Sequence, residues 1–447
     1  MEERTSGLHS DLESVAEFNG PENFASVAEL IPKSWIRRAL TATDTATIRR
    51  RRLPAEQVIL LVLGMALLRR LSIEQVVDRL GLALGDEALI AKSSIPPARN
   101  RVGPEPLKWL FEESASEWGL KSAANDKWKD FSLFAVDGTT LSVPDTTENT
   151  ERFGKKTGTN EAAFPAVRLV ALMAVRSRTL VAAAFDGIEK KSEVALASEL
   201  WAAVPGNSLT LVDRGFRSAS ALCVLRDEGR SRHWMTRGMK NAKWRVLEER
   251  APGDMLVEFD VPKGTRDKHA SLSLPATFVA RAIRYQRGDS PASVLLSSLT
   301  DARYSGEELV ALYHERWEIE IGFDEIKTHM NEPDLLRSKT ANGVEQELWG
   351  LLLAYNLVRV QIEKAADLLK VRPTRISFVN ILVAIQAHLL EPAWSAPGNA
   401  PRFLRDFQKN ARRFVLPDRR SDRAYARAIK TYPKYPIRRS GTKPAAK

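Results

Sequence analysis

The stretch L-Y-H-E-R-W-E-I-E-I-G-F-D-E-I-K-T-H-M, residues 312–330, concentrates more usable chemistry than any other region of the chain. On a helix advancing 100° per residue, Tyr313, Arg316, Glu320 and Lys327 fall within an arc of about 60°, because offsets of three, seven and fourteen return to nearly the same face. That face offers an aromatic hydroxyl, a guanidinium, a carboxylate and an ammonium, a set suited to phosphates gathered around a carboxylate. A merely solvated helix scatters its charges or pairs them along its own surface. Glu315, Glu318 and Glu325 are free to do that, and Glu320 by itself is one helix glutamate among several.

Two aspartates give Glu320 its company. Asp137 precedes Gly138, which alone is a hairpin signal, and Asp213 ends the apolar run 208–212 and alone reads as a strand-end turn former. Jointly, two aspartates after core-type strands and a glutamate on a later helix form a hard-oxygen set suited to Mg²⁺, with Mn²⁺ as a substitute. Two such ions assist in-line displacement at phosphorus. Arg316 and Lys327 would then hold neighbouring phosphates and Tyr313 would hydrogen-bond one. Trp317 either stacks on a base or anchors the core.

The elements that must position these groups follow from periodicity. Residues 32–120 read as helical: Pro54 opens a helix over 55–70, Ser72 and Gln75 form a capping box for 73–80, and a third helix includes 98–102, with Arg99 and Arg101 expected on its exposed side. With the arginine run at 49–52, this makes a DNA-binding helical domain plausible beside the reading of an ordinary helical subdomain. From Phe131 the period becomes that of strands, at 131–136 with 139–143 as a hairpin arm or an extension, then at 167–175 and 179–185. A helix at 193–204, a strand at 208–212 and a helix at 219–228 follow, an order that matches a ribonuclease-H-like α/β fold. Residues 232–287 alternate like strands, including short ones at 272–274 and 244–248, and read as an all-β insertion. A core strand at 294–299 and an amphipathic helix at 344–369 complete the pattern.

The expected organisation is thus a helical DNA-binding domain (1–125), a first core segment (126–216), a β insertion (217–292), a second core segment (293–370) and a helical, basic C-terminal region (371–447). The 447 residues carry a net charge of +11, and residues 401–447 alone hold 15 Lys and Arg against 3 Asp and Glu. The basicity is therefore mostly a tail, fit for phosphate backbones or for solubility. A single cysteine, Cys223, excludes an intrachain disulfide framework and fits a reducing cytoplasm. The acidic start is unlike a signal peptide, and the longest apolar run, 58–68, is about half a membrane span.

The spacing Tyr313-x2-Arg316-x3-Glu320-x6-Lys327 resembles the Y-R-E-K motif of bacterial DDE transposases of the insertion-sequence-4 family. Phe134-Ala-Val-Asp-Gly-Thr-Thr resembles the first-aspartate block of that family and Leu211-Val-Asp-Arg-Gly-Phe-Arg the second, while residues 31–103 look like its N-terminal domain. The resemblance implies a ribonuclease-H-like core interrupted by a β insertion, with Asp137, Asp213 and Glu320 binding divalent metal and performing DNA cleavage and joining. It implies that Tyr313, Arg316 and Lys327 contact phosphates near the transposon end, and Trp317, Arg214, Arg99 and Arg101 are the further candidate DNA contacts. The implied partners are double-stranded DNA, as transposon ends and target, and a second copy of the chain in a synaptic dimer. The implied location is the cytoplasm, at the nucleoid. Hairpin-forming relatives can hold a flipped base against a tryptophan in a region where this chain has residues 291–294 and none; Trp234 and Trp244 are the substitutes at hand. Two other readings remain open: a structure-specific nuclease on the same fold, and a transposase-derived DNA-binding protein without catalysis.

Overall fold

Local signals set many of the element boundaries. Ser72 accepts from the Gln75 amide while the Gln75 side chain accepts from the Ser72 amide, and Ser305 and Glu308 repeat that box. Each box satisfies two helix-start donors that would otherwise lack partners. The structure, a computed structural model, describes residues 31–46, 53–82, 90–156, 162–239, 242–286, 291–390 and 411–417. The arginine run at 49–52 is outside the described residues, and so is nearly all of the basic tail with its tyrosines 425, 432 and 435.

In chain order, α1 (Lys33–Ala42), α2 (Ala55–Leu67), α3 (Ile73–Arg79), α4 (Ile95–Val102) and α5 (Glu105–Asn125) precede β1 (Ser132–Ser142). Then come α6 (Thr147–Phe153), β2 (Ala166–Ala174), β3 (Thr179–Gly187), α7 (Glu193–Leu200), β4 (Ser208–Val212), α8 (Ala219–Leu225) and β5 (Arg232–Arg237). These are followed by β6 (Arg245–Ala251), β7 (Asp254–Asp260), α9 (Lys263–Lys268), β8 (Thr277–Tyr285) and β9 (Ser293–Ser297). The last are α10 (Gly306–Tyr313), α11 (Trp317–Asp324), α12 (Ala341–Leu369) and α13 (Phe378–Leu390).

The strands form one mixed nine-stranded sheet in the order β3-β2-β1-β4-β5-β9-β8-β7-β6. β4 runs parallel to both β1 and β5, and β5 through β9, β8 and β7 to β6 pair antiparallel. One open alternative closes and two expectations change. The arm at 139–142 is an extension of β1, not a hairpin return, so the turn reading of Asp137-Gly138 falls. β5, expected inside the insertion, extends the parallel set. The stretch between β5 and β9 is not all β: α9 interrupts it, and the expected strand at 272–274 begins inside a 3-10 turn, Ala270–Leu272. Pro262 fixes the entry to α9 and leaves no amide to continue a ladder.

Two compact units divide the chain: a helical one from residues 1–114, 141–165 and 324–447, and a sheet one from 115–140 and 166–323. In the helical unit every residue of α2 is buried, as expected for a helix that is apolar all round. α12 crosses it at Gly350, where an added Cβ would lie 2.5 Å from Val62 Cγ1. Gly350→Ala is therefore expected to cost about 1–3 kcal/mol of stability by overpacking. A lowered urea midpoint at unchanged slope would show it, and an unchanged midpoint would mean the helices separate freely.

In the sheet unit, Phe134 and Val136 of β1 join Val170, Leu172, Leu196, Trp201 and Val212 in one buried layer. Strand alternation sends Ala135 and Asp137 to the opposite face. The polar group thus leaves the apolar layer by register alone.

Candidate active site

The parallel ladder between β1 and β4 ends at the pair Val136 and Val212. The next residue is an aspartate on each, Asp137 within β1 and Asp213 just past β4, so the two stand on one row where β4 ends. The β4–β5 ladder ends likewise at Val212 and Thr236, which puts Arg237 next along the same row. Sequence reading missed Arg237 because β5 was assigned to the insertion. The signal was present, a charged residue ending an apolar run as Asp137 and Asp213 do, and the exposed Arg237 guanidinium donates to Ser293 Oγ at 3.1 Å.

Glu320 reaches the row through Arg316. The Arg316 Nη2 donates to Glu320 Oε1 at 2.6 Å, and its Nη1 lies 3.4 Å from Asp137 Oδ2. Asp137 also accepts from the Gly138 amide at 2.8 Å. Burial pushes the Asp137 carboxyl up to about 6, against the pull of that amide and of Arg316, and the negative charges of Asp213 and Glu320 raise it further. Asp137 therefore senses the charges of Asp213 and Glu320 across a partly buried spot, where gathered negative charge calls for a cation.

The donor set fits a hard divalent ion in kind, as carboxylate oxygens from the middle of β1, from the residue after β4 and from one helix. Among the described residues no three carboxylate, imidazole or thiol side chains already converge as a closed ligand cage. Binding would thus need rotation of the Glu320 and Asp137 side chains out of their bonds to Arg316.

The polar helix face is built differently from the sequence expectation. Residues 312–330 are not one α-helix: α10 ends at Tyr313, a 3-10 turn spans His314–Arg316, α11 follows, and Glu325–Met330 is a π turn. Three residues at 120° rather than 100° rotate Tyr313 by about 60° relative to Glu320. Tyr313 is accordingly buried, and its hydroxyl donates to the Val212 carbonyl at 3.0 Å, directly before Asp213. Burial raises its phenol well above the ordinary range, so it stays protonated and keeps that bond. Tyr313 therefore ties the end of α10 to the end of β4, with its hydroxyl facing the Val212 carbonyl rather than solvent.

Trp317 is 48% exposed, which removes the core-anchor reading. Arg214, in the 3-10 turn after Asp213, is exposed. Lys327, Arg99 and Arg101 belong to the helical unit. The Lys327 ammonium pairs with Asp334 at 3.2 Å. Arg101 is exposed as expected, but Arg99 is 8% exposed and donates to Gln346 Oε1, Ser338 Oγ and the Gly343 carbonyl. The expected exposed side of α4 is corrected at Arg99: its guanidinium is consumed in joining α4 to the start of α12. Trp234 is 1% exposed in the core, and Trp244, half-buried, meets Phe259 in an edge contact.

Comparisons with known proteins show the family of the chain. The family described as insertion element 4 transposase N-terminal matches residues 21–112, and the transposase DDE domain family matches residues 128–357. The transposase InsG for insertion sequence element IS4 of Escherichia coli K12 is 37% identical over 432 residues, covering 95% of this chain and 96% of that protein. The putative transposase InsZ of the same organism is 36% identical over 282 residues, covering 62% of this chain and 90% of that one. Among solved structures, a piggyBac transposase synaptic complex with hairpin DNA aligns with 90% of this chain and 87% of its own at 13% identity, with a TM-score of 0.43.

Proposed function

The chain belongs to the insertion-element-4 family of DDE transposases, and from that premise we propose that it binds the terminal inverted repeats of an insertion sequence, hydrolyses the strand at each end and joins the freed 3′-hydroxyl to target DNA. The observation that carries this reading is the strand-end row, Asp137 beside Asp213 with Glu320 tied to it through Arg316. In it, Asp137, Asp213 and Glu320 hold divalent metal, Mg²⁺ with Mn²⁺ as substitute. The metal, when bound, activates the attacking oxygen and offsets charge on the leaving one.

The chain's own groups do the rest. Arg316, released from its two carboxylates, is a fork for the scissile phosphate or its neighbour. Tyr313 holds α10 to the end of β4, so that the helix carrying Glu320 starts from a fixed point. Trp317 offers a ring face to a base, Arg214 and Arg237 line the approach along the strand ends, and Lys327 and Arg101, in the helical unit, serve DNA phosphates. The order β3-β2-β1-β4-β5 supports a ribonuclease-H-like core, with β6 to β8 and α9 inserted before β9. The helical segment up to residue 125 is the end-recognition domain. The basic tail adds salt-dependent attraction to any duplex. Two ends must be processed together, so the acting form is a dimer on DNA, in the cytoplasm at the nucleoid. Among the described residues no helix is long and apolar enough to cross a membrane.

The test is a strand-transfer assay with duplexes carrying the repeats that flank the gene, in Mg²⁺ or Mn²⁺. Joined products are expected only with repeat-bearing duplexes. Nicking of any branched duplex without joining would favour a structure-specific nuclease, and binding without nicking would favour a DNA-binding derivative.

A further inference from the structure

We propose that Arg176 and Arg178, on the turn between β2 and β3, are positioning residues that set the rotation of the helix bearing Glu320; the inference rests on the reading of Glu320 as a metal ligand. Arg176 donates through Nε and Nη2 to the two oxygens of Glu315, at 2.8 and 3.0 Å, and through Nη1 to Asp126 Oδ1 at 2.7 Å. Arg178 meets Glu318 Oε2 through Nε at 2.7 Å and through Nη2 at 2.5 Å. The Arg176 and Arg178 side chains are only 12% and 4% exposed. Two glutamates that sequence reading left to pair along their own helix are thus held by another element.

Their placement gives the clamp its consequence. Glu315 lies in the 3-10 turn and Glu318 in the first turn of α11, on either side of Trp317. Glu320 is two residues beyond Glu318, about 200° further round the helix. The clamp therefore grips the back of the segment whose front presents Arg316 and Glu320 to Asp137. A carboxylate about 5–6 Å from the helix axis moves roughly 2 Å for a 20° rotation, whereas metal–oxygen distances tolerate about 0.2 Å. A 3-10 turn running into an α-helix has no strict rotational register of its own. Two part-buried ion pairs, that of Arg176 bidentate, supply one.

The turn itself is shaped for this task. Arg178 sits at φ 60°, a left-handed conformation that glycine adopts freely and arginine does at a cost. Its amide donates to the Ala174 carbonyl at 2.8 Å, closing the turn tightly. An arginine at a glycine-type position is explained when its side chain is needed, and here it ends on Glu318.

Mn²⁺ binding to the full chain, titrated by electron paramagnetic resonance below each variant's unfolding range, tests the proposal. Arg178→Met and Glu318→Gln are expected to weaken Mn²⁺ about tenfold or more, and Arg176→Lys, which loses the fork but keeps the charge, to weaken it severalfold. Thermal melts identify which variants are folded, and if Arg178→Met is not, Glu318→Gln and Arg176→Lys decide. Unchanged Mn²⁺ affinity in the folded variants, even with a lowered melting temperature, overturns the clamp and leaves ordinary structural ion pairs. Glu320→Gln is the control. If it leaves Mn²⁺ binding intact, the metal-ligand reading fails; if it weakens binding while the clamp variants do not, only the clamp fails.

Discussion

Glu320→Gln is expected to reduce Mg²⁺-dependent nicking of end duplexes by at least about 10³-fold, roughly 4 kcal/mol of barrier, with duplex binding changed severalfold at most. The amide keeps the shape of the side chain, and its oxygen can still accept from Arg316 Nη2, which now lies 2.6 Å from Glu320 Oε1. What disappears is the negative charge that a divalent ion needs from its ligand. Single-turnover nicking beside a gel-shift titration separates the two effects. Normal nicking by this variant would falsify the assignment of Glu320. Lost binding with lost nicking would mean that the substitution disturbs the helix, an outcome that the retained Arg316 contact argues against.

Asp137→Asn is expected to move activity and stability in opposite directions. The folded Asp137 carboxyl titrates at about 6 against an ordinary 3.8, chiefly because it is buried, with Asp213 and Glu320 adding repulsion. Between those values the folded protein holds a proton that the unfolded chain has lost. Without metal, this residue's contribution to stability is therefore fully favourable below about 4 and diminishes as pH rises through 6. The unfavourable contribution above pH 6 is on the order of 2–3 kcal/mol, a shift of about two units. Asparagine cannot ionise, so in a chelator-containing buffer the variant is expected to be more stable than the parent at pH 7.5 and nearly equal at pH 4.5. Nicking should fall by the same order as for Glu320→Gln. Denaturant melts at the two pH values check the sign, and a variant less stable than the parent at pH 7.5 would refute it. Bound metal removes the penalty by supplying the missing positive charge, so the parent should also melt higher in Mg²⁺ and the variant should not.

Legibility in the sequence followed the range of the interactions. β4 was readable to the residue as 208–212, because a short apolar run between polar punctuation has one way to be buried. The capping box at Ser72 and the opening of α10 at Ser305 were readable because both are closed by neighbours three residues apart. Tyr313 was misread for an equally local reason. Constant rotation at about 100° per residue would put Tyr313 on the face of Glu320, and a single 3-10 turn between Tyr313 and Trp317 changes the phase. Arg99 was misread because its partners, Gln346, Ser338 and Gly343, lie some 240 residues away, and no pattern around residue 99 announces them. Arg237 was overlooked because a strand's neighbours decide whether its end joins the row of Asp137 and Asp213.

By itself, the sequence determined the kinds of groups and their local spacing: Asp137 and Asp213 closing apolar runs, and Arg316 four residues before Glu320 on a polar face. Those facts depend on side-chain chemistry and backbone period, which act over a few residues. Only the tertiary structure decided that the two aspartates stand on adjacent parallel strands and that Tyr313 turns inward to Val212. It alone gave Glu315 and Glu318 to the β2–β3 turn, leaving Arg316 and Glu320 to face Asp137. The reason is physical: burial selects among the locally allowed arrangements the one in which each polar group leaving water finds a partner, and those partners are supplied by strand order and helix rotation across the whole unit.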